Sequence, residues 1–495
     1  MIDSNSWLSV HPELLLLTMA CVIALVDLGV KSAQRTLTYV LTLVTLGVVA
    51  VLTASYALDG TTTYGFGRMV VSDPMGNWLK CFSALAMMVC LVYGRPYAAQ
   101  RDMMRGGELF TLAMFALLGI FVMISGSNFL VLYLGLELLT LSSYALVALR
   151  RDHAVSTEAA MKYFVLGAMA SGFLLYGLSM LYGATGSLDI EQVFKAVGTG
   201  RINHQVLVFG LVFVVSGLAF KLGAAPFHMW IPDVYQGAPT AVTVMIGSAP
   251  ELAAFAIVIR ILVEGLIPLA IDWQNMLIVL AVCSLALGNL AAIAQSNLKR
   301  MLAYSTIGQM GFVVLGLAVG VVNGNTNNAQ YAYSSAMFYI VTYVLTTLGS
   351  FGIILLLARE GFESEEIADL AGLNQRSPLY AGIMAICMFS LAGIPPLVGF
   401  YAKLTVLQAL VQSGQGLYLG LAIFAVMMSL VAAFYYLRVV KVMYFDAPIT
   451  ATTVSAPADV RVVLSLNGAL ILLLGIVPGG LMTLCADAIV KTLGT

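Results

Sequence analysis

Runs of mainly apolar residues follow one another along the 495-residue chain, each separated from the next by a short polar stretch. A helix of about 20 such residues is long enough to cross the hydrocarbon core of a bilayer. Read against the turn signals between them, the runs predict fourteen crossings, centred near residues 22, 47, 86, 116, 138, 170, 215, 253, 284, 311, 345, 395, 430 and 475. The pattern therefore predicts an all-α, polytopic membrane protein with about fourteen transmembrane helices.

The composition agrees with this fold class and argues against others. Hydrophobic residues make up 61% of the chain and charged residues only 9%, whereas a soluble protein of this size exposes far more charge. A membrane barrel would show short alternating segments instead of long unbroken runs. The net charge of -1 gives no support to a nucleic-acid partner.

The sequence gives no sign of a cofactor or of a cleaved leader. The first residues, MIDSNSWLSVHPE, lack a basic region and a small-residue cleavage site, so we expect the first apolar run to be retained as a crossing. The six cysteines form no CxxC pair and only four histidines are present, which argues against iron–sulfur, haem c and zinc sites. Neither GxGxxG nor GxxxxGK occurs. We therefore expect no metal and no cofactor in this chain.

Positive charge is distributed unevenly between the two sets of loops. Of the 23 lysines and arginines, four lie in loops and tail on one side, namely Arg68, Lys195, Arg201 and Lys491. The opposite loops hold fourteen, namely Lys31, Arg35, Arg95, Arg101, Arg105, Arg150, Arg151, Lys299, Arg300, Arg359, Arg376, Arg438, Lys441 and Arg461. Short cytoplasmic loops accumulate such residues, so the split predicts that both termini face outside.

Two loops have a pattern of their own. Ile190, Val193, Phe194 and Val197 follow helical spacing, which predicts a short helix lying on the membrane surface. The loop EGFESEEIADLAGL, residues 360–373, concentrates acidic residues before a small apolar face. It is either a solvated connector or a docking surface for a soluble partner.

Five lysines and arginines fall inside predicted crossings, where each needs a physical reason. Lys80 lies near the outer end of its crossing, and Arg260 has Glu264 one turn further out, so we expect both to reach the lipid headgroups. Lys162, with Glu158 at i−4, either extends to the surface or takes part in proton transfer.

Four ionisable residues, Glu137, Lys221, Glu251 and Lys403, lie deeper and cannot easily reach either surface. An ionised side chain at mid-bilayer costs about 2.5–3.5 kcal/mol on insertion scales. The four are either static ion pairs that hold helices together or proton carriers. Desolvation and nearby charges alter how tightly such groups hold a proton, so small movements could load or release one.

Helix-breaking residues favour the second interpretation. The seventh crossing contains Pro226, Pro232 and Pro239, and the twelfth contains the run Gly393–Gly399 with two adjacent prolines. Non-helical backbone at membrane depth persists only where protein or water satisfies it. Two broken crossings five positions apart, each with a lysine, also predict two inverted five-helix repeats.

These patterns divide the chain into four predicted segments. Residues 1–106 form a three-helix segment, 107–268 the first repeat with crossings 4 to 8, 269–446 the second repeat with crossings 9 to 13, and 447–495 a linker with the last crossing.

Four long motifs carry a resemblance to a known family. KLGAAPFHMWIPDVYQGAPT, LGLELLTLSSYALVAL, NLKRMLAYSTIGQMGF and LAGIPPLVGFYAKL resemble the antiporter-like membrane subunits of respiratory NADH:quinone oxidoreductase, complex I. The resemblance implies fourteen helices, inverted repeats with broken seventh and twelfth helices, and proton pumping in a bacterial inner membrane with periplasmic termini. It also implies that NADH, FMN, iron–sulfur clusters and quinone bind in partner subunits, and that antiporter-like and other membrane-arm subunits are neighbours.

By position, the resemblance implies functional roles for Glu137, Lys162, Lys221 and Lys403. Glu251 departs from the family, which usually has lysine there, so the predicted relay is an acid–base–acid–base series.

The sequence therefore predicts a proton-translocating subunit driven by electron transfer elsewhere in the complex. Two alternatives remain at this point: a component of a multi-subunit sodium/proton antiporter, and a structural spacer whose charges only hold helices together.

Overall fold

The computed structural model describes residues 4–322, 324–358, 362–448 and 453–494. The amino-terminal part contains four helices and one antiparallel hairpin, in which Thr63 lies opposite Ser72. Its elements are α1 (Ser4–Ser9), α2 (His11–Asp27), α3 (Thr36–Asp59), β1 (Thr63–Gly65), β2 (Val70–Ser72) and α4 (Pro74–Ala99). The Asp73 side chain caps α4 by accepting a hydrogen bond from the backbone of Gly76 at 2.7 Å.

The central part begins with long helices and continues with shorter ones. Its helices are α5 (Glu108–Ser125), α6 (Phe129–Val147), α7 (Ala154–Thr185), α8 (Ile190–Gly198), α9 (His204–Lys221), α10 (Trp230–Gly237), α11 (Thr240–Ile246) and α12 (Ala249–Val258), which continues as a π-helical segment (Ile259–Gly265) and a 3-10 turn (Ile267–Leu269). Helix α8 confirms the predicted short helix, with Val193 and Val197 buried on its inner side, while its position on the membrane surface stays a prediction.

The rest of the chain also consists of long helices and shorter ones. They are α13 (Ala270–Ile293), α14 (Leu298–Ala318), α15 (Ala329–Leu357), a 3-10 turn (Ile367–Leu370), α16 (Leu373–Arg376), α17 (Pro378–Ala392), α18 (Val398–Gln412), α19 (Gly416–Phe445), α20 (Ala458–Ile476) and α21 (Gly479–Leu493).

The all-α membrane fold is confirmed. Among the described residues, twelve helical stretches are long and apolar enough to cross a membrane. The predicted first crossing, α2, has 17 residues, and the twelfth is divided into α17 and α18 with 15 residues each, so neither is among the twelve. The count of fourteen and the four predicted segments stay predictions, as do the inverted repeats.

Both predicted helix breaks are present. Helices α9 and α10 are separated by 222–229, and α17 and α18 by 393–397. Two further breaks were not predicted: one at Gly247–Ser248, before α12, and one at Val477–Pro478, between α20 and α21. A proline follows or lies within each of these breaks, and it removes a backbone donor that a continuous helix would use.

The most central helices are those with the most buried apolar stretches. In the most apolar stretch of the span Thr240–Gly265, and likewise in that of α14, 94% of the residues are buried. The corresponding share in α19 is 28%. Helices α11, α12, α14 and α15 therefore form the core, while α3, α7, α13, α19 and α20 present apolar residues to lipid or to neighbouring chains.

Loop contacts define two faces of the molecule. On the face called here the basic face, Arg35 donates to the carbonyl oxygen of Arg105, and Arg101 and Arg150 both pair with Glu363. On the opposite, terminal face, the backbone of Phe66 donates to Ser6 and that of Met75 to Thr492. Both described ends of the chain thus lie on the face opposite the basic loops. Arg359 and Glu360 lie outside the described residues.

Candidate functional site

Lys221 is the last residue of α9 and lies at the edge of the first broken crossing. Its charge interacts with two carboxyl groups, Glu137 on α6 and Glu251 in the first turn of α12. Lys221 and Glu137 are half-buried, and Glu251 is only 2% exposed. The helix ends favour the charges of Lys221 and Glu251, because the carboxyl end of a helix attracts cations and its amino end attracts anions. Three of the five predicted site residues are therefore brought together.

Each of these carboxyl groups has an oxygen without a hydrogen-bond partner among the described residues, Oε1 in Glu137 and Oε2 in Glu251. Leaving a buried acceptor unpaired costs about 1–3 kcal/mol, and more for a charged group. Binding a proton relieves that cost. Both groups consequently have the capacity to take up a proton at the buried oxygen.

Lys403 occupies a different environment in the second broken crossing. Its Nζ donates to the carbonyl oxygens of Leu391 at 2.9 Å and Ala392 at 3.0 Å, and to Oγ of Ser429 at 2.8 Å. The residue is 6% exposed, and Nζ lies 5.2 Å from the centre of the Phe312 ring. Among the described residues Lys403 forms no ion pair and is bound only by neutral oxygens. It is therefore not part of the Glu137–Lys221–Glu251 cluster.

Polar side chains between Glu251 and Lys403 were missed by the sequence analysis. Tyr343 on α15 interacts electrostatically with Glu251 and donates to Thr306 at 2.8 Å. One turn along α14, Gln309 donates to the carbonyl oxygen of Leu391, which also binds Lys403. These residues connect the cluster to the second lysine.

A signal for these residues existed in the sequence. Thr306 and Gln309 are spaced i, i+3 in an otherwise apolar helix, and Tyr339 and Tyr343 are spaced i, i+4. Both pairs therefore lie on single helix faces. Tyr339 donates to Gln309, which joins the two faces.

Lys162 lies apart from the other four, nearer the basic face. It pairs with Glu158 at 2.9 Å, as its spacing predicts, and with Asp233 at 3.1 Å, and its side chain is 45% exposed. Asp233 also pairs with Arg300 at 2.7 Å. These groups line a polar cavity of about 530 Å³.

The acidic loop closes one side of that cavity. Glu363 accepts hydrogen bonds from Arg101 and Tyr97, each at 2.8 Å, and pairs with Arg150 at 3.1 Å. Burial alone would raise the pKa of Glu363, but the hydrogen bonds from Arg101 and Tyr97 outweigh it, so its pKa is lowered. Glu365 pairs with Lys299 at 3.0 Å. The loop is bound to the chain's own residues, so a freely solvated connector is wrong; a docking role stays a prediction.

Two buried cations do not behave as predicted. Lys80 is 1% exposed and pairs with Glu13 at 2.6 Å. Arg260 is also 1% exposed and pairs with both Asp73 and Glu264 at 2.5 Å. The expectation that they reach the headgroups is wrong, because acidic groups distant in the sequence neutralise them inside the protein.

Comparisons with known proteins agree with this architecture. Residues 126–429 match the family described as NADH:quinone oxidoreductase/Mrp antiporter, transmembrane. NADH-quinone oxidoreductase subunit N from Polaromonas naphthalenivorans is 73% identical over 499 residues, which cover 100% of both chains.

Two solved structures are similar over almost their whole length. A chain of respiratory complex I from Thermus thermophilus is 29% identical, with a TM-score of 0.76 over 96% of this chain and 99% of that one. A chain of the Mrp complex from Dietzia has a TM-score of 0.84 over 99% of both chains. That second chain is 20% identical, so it shows likeness of fold alone.

Proposed function

We propose that the chain, which belongs to the NADH-quinone oxidoreductase subunit N family, moves protons through a relay formed by Glu137, Lys221, Glu251 and Lys403. Membership follows from 73% identity over the full length of a subunit N relative. The chain is a proton-translocating membrane subunit of that proton-pumping enzyme. The relay residues and the path between them are the proposal.

The observation that carries the relay is the position of Lys221 between two carboxyl groups at a helix break. An ammonium group holds its proton more tightly beside a carboxylate and less tightly when that carboxylate moves away or is neutralised. A displacement of Glu137 relative to Lys221 would therefore transfer a proton between the ammonium group and Glu251. The segment 222–229 is not helical and interrupts the crossing between α9 and α10, which permits such a displacement.

The second step of the relay leads from Glu251 to Lys403. Tyr343 and Thr306 lie on the Glu251 side of this path, and Gln309 shares a carbonyl oxygen with Lys403. Hydroxyl groups can accept one proton while they release another, so they can complete a path with water. The glutamate at position 251 gives an acid–base–acid–base series. Lys162 belongs to the polar cavity at the basic face, where we place proton entry.

The surroundings of the chain follow from its family. We propose that the basic face lies in the cytoplasm and both termini in the periplasm, because cytoplasmic loops accumulate lysine and arginine. NADH, FMN, iron–sulfur clusters and quinone then belong to partner subunits, and membrane-arm subunits contact the lipid-facing helices. The two broken crossings support inverted repeats of crossings 4 to 8 and 9 to 13.

Replacement of Lys221 tests the relay. In the assembled complex reconstituted into liposomes, Lys221→Ala should lower NADH-driven proton pumping about tenfold or more, since a positioned proton carrier contributes about 10²–10⁴-fold. Lys195→Ala, on the exposed surface helix α8, is the matched control. Full pumping by a Lys221→Ala complex with all subunits present would refute the relay.

A further inference from the structure

Two stacked aromatic rings, called here the aromatic floor, lie below residues that line the polar cavity at the basic face. Ala159 on α7 and Asp233 on α10 line the cavity. One turn deeper on the same two helices, Tyr163 and Trp230 stack with ring centres 4.7 Å apart and planes inclined by 13°. They are 4% and 3% exposed. The stacked rings therefore lie one helical turn beyond two of the residues that line the cavity.

The aromatic floor is joined to the helix that carries Lys221. The indole Nε1 of Trp230 donates to the carbonyl oxygen of Phe220 at 3.0 Å, and Phe220 immediately precedes Lys221. The Trp230 and Phe220 rings are 5.6 Å apart. Trp230 is thus fixed to the end of α9 that carries Lys221.

Tyr144 stands beside the floor and reaches toward Glu137. Its ring meets that of Tyr163 edge-on, with centres 4.7 Å apart. Its hydroxyl is buried and interacts with the charge of Glu137 and with the Thr140 hydroxyl. Gly167 leaves room for this hydroxyl, because a Cβ there would collide with it.

The spacing on α6 aligns Tyr144 with Glu137. The two are seven residues apart, which places them on one helix face about 10 Å apart along the axis. Thr140 lies between them, three residues after Glu137 and four before Tyr144, and its hydroxyl is close to Tyr144. The Thr140 hydroxyl donates to the backbone carbonyl oxygens of Leu136 and Glu137, so the hydroxyl groups of Tyr144 and Thr140 lie on the helix face that carries Glu137.

We propose that Tyr163 and Trp230 form a gate between the polar cavity and the Glu137–Lys221 pair, and that the Tyr144 hydroxyl passes protons through it. The Tyr144 oxygen accepts a proton from a protonated water in the cavity, which is left as neutral water, as its own proton leaves toward Glu137 through the Thr140 hydroxyl or water. Each hydroxyl oxygen gains one proton and loses one, so Glu137 gains the single proton that the cavity water lost. The step rests on the proposed relay. Helix α10 follows the non-helical segment 222–229, which allows the stack to part.

Tyr144→Phe tests the hydroxyl, because it keeps the ring and removes only the oxygen. Proton pumping by the assembled complex should fall about tenfold, and its H2O/D2O rate ratio should rise because proton transfer becomes limiting. A packing role would leave that ratio unchanged. The control is Tyr182→Phe, at an exposed tyrosine of α7. Pumping at the wild-type rate and isotope ratio in Tyr144→Phe would overturn the transfer step.

The gate is tested without NADH. Trp230→Ala should raise the passive proton leak of proteoliposomes several-fold, whereas Trp230→Phe, which keeps a stacked ring, should stay near the wild type. If Trp230→Ala does not assemble, Tyr163→Leu provides the same measurement. An unchanged leak in an assembled gate variant would overturn the gate. Loss of pumping in Lys221→Ala alongside wild-type behaviour of the Tyr144 and gate variants would refute this inference while leaving the relay standing.

Discussion

The two broken crossings hold their lysines in opposite ways. Lys221, half-buried at the end of α9, interacts with two carboxyl groups through their charges. Lys403, on α18, binds the last carbonyl oxygens of α17 and one serine hydroxyl. In both crossings the lysine therefore lies at the carboxyl end of the first half-helix, although Lys221 precedes its break and Lys403 follows it. The two crossings therefore place the positive charge at the same point of the break, although the lysine that carries it comes from different sides of the break.

The difference suggests that Lys221 and Lys403 have different roles in the relay. A lysine between two titratable acids can exchange protons when either acid changes charge or position. A lysine held by neutral oxygens has a fixed environment, and helix-end carbonyl groups stabilise its charge. We therefore expect the first crossing to respond to proton loading and the second to respond to movement of the α17 end. Each half should be disabled by a different kind of substitution.

The largest expected effect comes from removing the charge that distinguishes the first crossing. Glu137→Gln keeps the size of the side chain and removes the titratable group beside Lys221. NADH-driven pumping in proteoliposomes should fall about tenfold or more. Glu191→Gln, on the surface helix α8, is the matched control. If Glu137→Gln pumps as well as Glu191→Gln, the carboxyl group of Glu137 is not what distinguishes Lys221 from Lys403.

A second substitution distinguishes the lysines by stability. Lys403→Met removes the hydrogen bonds from Nζ to the carbonyl oxygens of Leu391 and Ala392 and to Oγ of Ser429. Gln309 and Ser429 still donate to the two carbonyl oxygens, so the expected loss is about 1–3 kcal/mol. Lys221→Met removes no hydrogen bond found among the described residues, and the neighbouring carboxyl groups can bind protons instead. Thermal unfolding of the assembled complex should therefore show a lower midpoint for Lys403→Met than for Lys221→Met. Equal midpoints would contradict the contrast between the two environments.

The sequence was sufficient where a single local signal decides the structure. Pro226 and the pair Pro395–Pro396 predict the two breaks, because proline inside a long apolar run removes a hydrogen bond that a continuous helix would need. The spacing of Ile190, Val193 and Val197 likewise predicts α8. Such features depend on neighbours within a few residues.

Other features depend on contacts that no local pattern contains. The sequence predicted that Lys80 and Arg260 reach the membrane surface. The prediction failed because the acids that bind them, Glu13 and Asp73, come from distant parts of the chain. The break at Gly247–Ser248 was missed because Pro250 also suits the first turn of a helix. Tertiary packing, and not the local spacing of residues, therefore determined the partners of these cations and the position of this break.

The smallest expected effect concerns the acidic loop, which follows α15 but pairs with Arg101 and Arg150 beside the first half. Glu363→Gln should destabilise the assembled complex by less than about 1 kcal/mol near neutral pH, because the carboxyl side chain is 31% exposed and solvent screens its ion pairs. The pKa of Glu363 is lowered on folding by Arg101 and Tyr97 against the effect of burial.

Its stabilising contribution is therefore complete above the ordinary glutamate pKa and is lost as the pH falls through the lowered value. The difference in unfolding midpoint between wild type and Glu363→Gln should be constant near neutrality, begin to shrink as the pH falls below the ordinary glutamate pKa of about 4.3, and disappear below the lowered pKa. Asp487→Asn, on the exposed side of α21, should show no such difference at any pH. A Glu363 effect that persists in acid would mean that shape rather than charge fixes the loop, and the ionic link between the two halves would then fail.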